Sequence, residues 1–289
     1  MYSDGTVWGA RVRRAFEYFG DFEIHYRHCG PVDGQTVLCL HPSPVSALGI
    51  APIVSELGRH FHVLAPDTLG NGDSAGPMPE VPDIAFYADV CTGFLKARGV
   101  TSCAIYGCHT GASIAMEIAR RGDIAVRSLI LDGVGIYPPD FRQKLLDNYI
   151  PDLTPDRDGL YALKLWMMLR DMYLFWPWFE KDAANRRPVD LPSSQSMHAR
   201  FVETLKAVTT FGKSYQAAFR YDKLATLSRL EMPVMITSAE GDMLSGADQQ
   251  VLAALPNGIH RANAGFADAD AARRTGELFA GFLRRPEPN

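Results

Sequence analysis

A chain of 289 residues with a formal net charge of −4 and a pI near 6.1 carries no electrostatic footprint for nucleic acid or for an anionic membrane surface. Hydrophobic residues make up 47% and charged residues 21%, near the globular average, which excludes wholesale disorder and a fibrous architecture. No apolar run reaches the length of a membrane span and Met1 to Arg14 lacks the apolar stretch of a signal peptide, so a cytoplasmic location is expected.

Arg14 to Cys29 alternates apolar and polar residues around Gly20-Asp21, the pattern of an antiparallel hairpin at a sheet edge. Thr36 to Leu40 then forms a short continuous apolar run, the sign of a strand buried on both faces. A helix follows over Ala47 to Leu57, a second buried strand over His62 to Pro66, and an amphipathic helix over Asp83 to Arg98. Cys103 to Tyr106 is a third strand, Ala112 to Arg121 a helix, and Leu129 to Leu131 a fourth strand. Such alternation predicts an α/β fold with a mostly parallel central sheet and helices on both faces.

From about Ile136 to Leu227 tryptophans, methionines and tyrosines crowd into helical periodicity with prolines between segments. The earlier pattern resumes with a strand over Pro233 to Thr237, a helix over Ala247 to Leu255, a strand near Ile259 and a closing helix over Ala269 to Arg284. The expected division is a core of residues 1–135 and 228–289, with 136–227 a helical lid inserted after the strand that follows the elbow helix. A lid there would cover the carboxyl edge of the sheet, where open α/β sheets place their ligands. The five cysteines (Cys29, Cys39, Cys91, Cys103 and Cys108) include no C-x-x-C pair and no metal-finger spacing, so buried reduced thiols and no metal site are expected.

The most informative stretch is Gly107-Cys108-His109-Thr110-Gly111, between a buried strand and an amphipathic helix. Glycines two residues either side of a central residue let the chain turn sharply there and thrust that side chain out at the end of the sheet. With this elbow, His41-Pro42-Ser43-Pro44 after the first buried strand, Gly70-Asn71-Gly72-Asp73-Ser74 after the second and Glu240-Gly241-Asp242 after the late strand, the chain resembles the α/β-hydrolase family over nearly its whole length.

That resemblance implies a chemistry. The elbow residue attacks an acyl carbon, two backbone N–H groups hold the oxyanion, and an acid orients a late-loop histidine. Carried across, the oxyanion donors are the amides of Thr110 and Ser43, since Pro42 has no N–H. The acid maps onto Asp242, with Asp132 at the end of the fourth buried strand as the alternative. Two positions depart from the family pattern: His109 stands where serine, cysteine or aspartate is usual, and Ala264-Gly265-Phe266-Ala267 stands where the late histidine would be. His260 lies too early, within the last strand. An imidazole at the elbow could reach the space of the missing one and bond Asp242 or Asp132, forming a dyad in place of a triad. General base is favoured over nucleophile for His109. Cys108 points away from the site.

Expected substrate contacts are His41, Trp166, Tyr173, Trp176 and Phe266. The leading expectation is cofactor-independent hydrolysis of an ester, lactone or amide-type bond in a small, largely apolar molecule. A lyase, decarboxylase or isomerase using the same base is the alternative, and a non-catalytic ligand-binding protein on this fold is the second. A homodimer is left open.

Overall fold

The structure, a computed structural model, describes residues 7–284. Strands β1 (Arg13–Phe19) and β2 (Phe22–Cys29) pair antiparallel about Gly20, whose φ of 53° admits the tight turn. They edge one eight-stranded sheet with β3 (Thr36–Leu40), β4 (His62–Pro66), β5 (Ser102–Cys108), β6 (Ala125–Asp132), β7 (Val234–Thr237) and β8 (Gly258–His260), in the order β1-β2-β4-β3-β5-β6-β7-β8. β2 meets β4 antiparallel, and every later pairing is parallel.

The central strands are apolar along their length because both faces are covered. Leu38, Leu40, Ile105 and Leu129 pack on one side with helices α2 (Ile84–Ala97) and α3 (Thr110–Arg121). Val37, Cys39, Tyr106 and Ile130 pack on the other with α1 (Ala51–Leu57) and α10 (Ala269–Leu283). Each such side chain contributes about 1.5–3 kcal/mol on burial. Asp83 caps α2, its side chain accepting from the Phe86 N–H at 2.8 Å, and Gly122 closes α3 in the left-handed conformation. This is the fold class that the resemblance implies.

Between β6 and β7 lie α4 (Pro139–Asn148), α5 (Leu160–Leu174), α6 (Ser194–Lys206), α7 (Phe211–Arg220) and α8 (Lys223–Leu227); the short α9 (Asp248–Ala253) follows β7. The inserted helices carry a cluster of their own around Leu145, Tyr149, Leu169, Phe211 and Phe219, while Ala217, Ala218 and Leu227 join the core beneath the sheet. Polar contacts tie the insertion to the loops after β3 and β4: Ser46 Oγ to Glu203, Lys206 to Asp73 at 3.0 Å, and Tyr215 OH to the Ser43 carbonyl at 2.7 Å. No helix among the described residues is long and apolar enough to cross a membrane.

Candidate active site

β5 ends at Cys108 and α3 begins at Thr110, so the whole reversal falls on His109. Its backbone sits at φ 49°, ψ −106°, and it is the one non-glycine residue with positive φ among the described residues. Such a conformation costs on the order of 1–3 kcal/mol and persists only where the surroundings enforce it. The two glycines do so. A Cβ on Gly107 would lie 2.5 Å from the Gly111 carbonyl oxygen, and one on Gly111 would lie 2.3 Å from that of Leu40. The helix starts earlier than the expected Ala112 because the turn completes in one residue.

The thrust-out imidazole meets Asp242, from the turn after β7, with Nε2 and Oδ2 2.9 Å apart. Asp242 is held in turn by the Leu244 N–H, which donates to Oδ1 at 2.8 Å. Burial pushes this carboxyl up, but the pull and hydrogen bond of His109 outweigh it and hold it well below the usual carboxylate range. Asp242 is therefore an anion that can only accept, so Nε2 bears a ring proton, and in the neutral imidazole the lone pair lies on Nδ1. Among the described residues Nδ1 makes no hydrogen bond. The ring's edge lies over Gly133, where a Cβ would sit 2.4 Å from Cδ2 and 2.5 Å from Nε2.

Asp132, the alternative acid, is not the partner of the imidazole. Its Oδ2 accepts from Tyr106 OH at 2.7 Å and its Oδ1 from Asn263 Nδ2 at 3.4 Å, while its backbone carbonyl takes the His109 N–H at 2.9 Å. Full burial, with the Asp242 charge adding to it, pushes its carboxyl up to about 6. The register that sets Cys108 beside Asp132 fixes this: the carboxyl leaves the strand toward Tyr106, beneath the elbow.

His109 faces two cavities. The main one, of about 440 Å³, is also lined by Trp8, Met172, Tyr173, Arg200, Asp242 and Phe266. An inner one, of about 50 Å³, is lined by Thr110, Ser113, Tyr137, Trp176, Tyr215 and Lys223 among others. Of the expected substrate contacts, Tyr173 and Phe266 thus line the main cavity and Trp176 the inner one. Two expectations fail. His41 is buried with Nδ1 at 2.9 Å from the Pro42 carbonyl and Nε2 accepting the Thr68 N–H at 2.8 Å, so both ring nitrogens brace loops and it lines neither cavity. Trp166 packs edge-on against Phe201 inside the insertion, also away from both.

Of the expected oxyanion donors, Thr110 occupies the first turn of α3, where N–H groups have no intrahelical acceptor, and lines the inner cavity. Ser43 lines neither cavity; its Oγ pairs with Ser214 Oγ at 2.7 Å and its carbonyl accepts from Tyr215 OH at 2.7 Å. His260 bonds Asp248 at 3.1 Å and is absent from both linings. Cys108 packs toward the α1 and α10 side of the sheet. His25, Asp67 and Asp73 cluster closely enough to offer ligands to a metal, but Asp67 already accepts from His25 and from the Ala47 and Asp73 amides, and Lys206 takes Asp73.

Sequence reasoning missed Gly133, the floor under the imidazole, along with Trp8, Arg200, Ser113 and Lys223. Gly133 follows directly on Asp132, and a glycine closing a buried strand beside the elbow is a usable sign of close approach. The others come from distant segments and have no local signature.

A family model described as the alpha/beta hydrolase family matches residues 37–279. A haloalkane dehalogenase of Bradyrhizobium diazoefficiens is 34% identical over 111 residues, which is 36% of this chain and 33% of the relative, so the match spans about a third of that protein's length. Among solved structures, the enol-lactonase of Burkholderia xenovorans LB400 aligns with a TM-score of 0.67 at 17% identity, covering 91% of this chain and 97% of the other. The epoxide hydrolase CorEH aligns at 0.65 and 20% identity, covering 87% and 90%. At such identities the likeness is one of fold.

Proposed function

We propose, from the premise that this chain belongs to the alpha/beta hydrolase family, that it hydrolyses an ester, lactone or amide-type bond in a small, largely apolar molecule, with His109 as general base. The observation that carries this reading is the 2.9 Å bond from His109 Nε2 to the carboxylate of Asp242, made by a residue held in a strained turn and facing a cavity. In the usual triad the histidine arrives from the late loop; here the elbow supplies it, and Phe266 fills the vacated place as a cavity wall.

The steps follow from the tautomer. Water gives a proton to Nδ1 as its oxygen bonds the carbonyl carbon, and the carbonyl electron pair moves onto oxygen, where the Thr110 amide meets it. Asp242 stabilises the imidazolium. The intermediate then collapses, the bond to the leaving group breaks, and that group departs with the proton from Nδ1. Helices α4 to α8 act as the lid, and Tyr173 and Trp176 close around the substrate.

Two variants test this. His109→Ala is expected to lose activity on any ester or lactone the protein turns over, and unchanged turnover overturns the reading. Asp242→Asn can donate to Nε2 and place the ring proton on Nδ1, so a fall of about 10³–10⁴-fold in kcat is expected with the fold intact by circular dichroism. Hydrolysis in heavy-oxygen water must place the solvent oxygen in the acid product; its absence there points instead to proton abstraction without water addition.

A further inference from the structure

The inner cavity holds charge that the proposed mechanism leaves unused. Lys223, at the start of α8, is 8% exposed and lines it. Its Nζ donates to the Ala218 carbonyl and lies 5.9 Å from the centre of the Tyr137 ring, and among the described residues it makes no ion pair with a carboxylate. Buried lysines are rare unless paired. Ser113, fully buried one turn into α3, also lines the cavity, and its Oγ has no hydrogen-bond partner among the described residues. Orphaned hydroxyls of this kind cost about 1–3 kcal/mol and call for an explanation.

No aspartate or glutamate lines this cavity. Its remaining walls include Tyr149, Trp176 and Phe219, and the first turn of α3 opens onto it with its positive dipole end. At about 50 Å³, and allowing about 10–15 Å³ for each water-sized group, it has room for roughly three to five such groups. A carboxylate fits that count.

We propose that the inner cavity is an anion pocket in which Lys223 and Ser113 hold a carboxylate of the substrate, so that the scissile carbonyl lies at His109. The substrate class is then an ester or lactone that also carries a free carboxylate. This rests on the hydrolase reading for its catalytic half, while the binding half stands alone. Lys223 also faces an outer depression lined by Arg142, Asp222 and Tyr137. Burial and the Arg142 charge lower its ammonium to about 8, against the pull of Asp222. The other titratable groups that share its cavities are His109, Tyr149, Tyr215 and Tyr221.

The test is calorimetric titration of propionate into the full chain, with propionamide and inorganic phosphate as controls. Saturable binding of propionate is expected, at least tenfold tighter than propionamide, weakening as the pH rises through about 8 because the neutral amine loses its attraction. Lys223→Met should weaken propionate at least tenfold and Ser113→Ala severalfold, while Asp242→Asn, at a residue that lines the main cavity and not this one, keeps binding. That last variant separates the two readings, since its loss of turnover comes from a residue outside the lining of the pocket. Lys223 also caps the end of α7 through Ala218; if the Met variant does not fold, Ser113→Ala and the propionamide comparison on the unaltered protein decide. Equal binding of acid and amide, no propionate binding by the unaltered protein, or tighter binding of phosphate than of propionate overturns the proposal, as does undiminished binding in a folded Lys223→Met.

Discussion

At the scale of single residues the site depends on contacts too close to admit an extra methyl. Gly133→Ala would put its Cβ within 2.5 Å of the His109 ring and would also hold alanine at φ 71°. A displacement of about 1 Å at a reacting group can cost on the order of 10²-fold in rate. We expect kcat to fall by about that factor, with the far-ultraviolet spectrum retained. Asp132 carries a different expectation. Its folded-state carboxyl lies at about 6, above the ordinary 3.8, so between those values the folded protein holds a proton that the unfolded chain has released. The stability this group contributes is therefore full below pH 3.8 and lost as pH rises through about 6. Urea midpoints from pH 4 to 7 should show that decline, and Asp132→Asn should flatten it. An identical pH profile in the variant would assign the decline to other groups. Asp242 has the opposite sign: its stabilisation is present above the ordinary carboxylate range and lost only as acid reaches its depressed folded value.

Elements show the same logic in their glycines. Gly111 opens α3 against the Leu40 carbonyl, and Gly281 sits in the last turns of α10 with open space where a Cβ would stand. Ala at the first must push the helix off β3, a strain of about 1–3 kcal/mol. Ala at the second meets nothing and restricts the unfolded chain, which should stabilise by about 0.5–1 kcal/mol. Chemical denaturation of the two variants should give shifts of opposite sign, although both replace a helical glycine by the best helix former. Periodicity located nearly every element of the core, because a strand buried on both faces and an amphipathic helix write their environment into consecutive residues. Boundaries moved where a turn outranked propensity: α3 starts at Thr110 because the reversal is finished by His109, and residues 47–57 divide into a 3₁₀ turn and α1 at Ala51-Pro52.

For the whole molecule, a polar seam joins the insertion to the loops at the end of the sheet. Glu203 is buried on that seam, accepting from Ser46 and pairing with Lys206, which reaches on to Asp73. Glu203→Ala leaves Ser46 without its acceptor and should cost about 1–3 kcal/mol. Amide exchange in α6 should quicken while that in β5 stays slow; uniform quickening would mean that the seam is not a separable unit. What the sequence determined by itself was the elbow and the sheet around it, since glycine sterics and burial patterns act between near neighbours. Asp242, 133 residues from His109 in the chain, was legible as a candidate only through the resemblance. Choosing it over Asp132 required tertiary structure. Asp132 is far nearer in sequence and adjacent in the sheet, yet its side chain leaves the strand toward Tyr106, whereas the turn after β7 carries Asp242 to the ring. The same holds for His41 and Trp166, whose types suit a substrate wall but whose partners turn them into supports, and for Lys223 and Ser113, which come to line one cavity only through the packing of distant elements. Which groups share a cavity is set by how distant elements pack, and no local pattern encodes that.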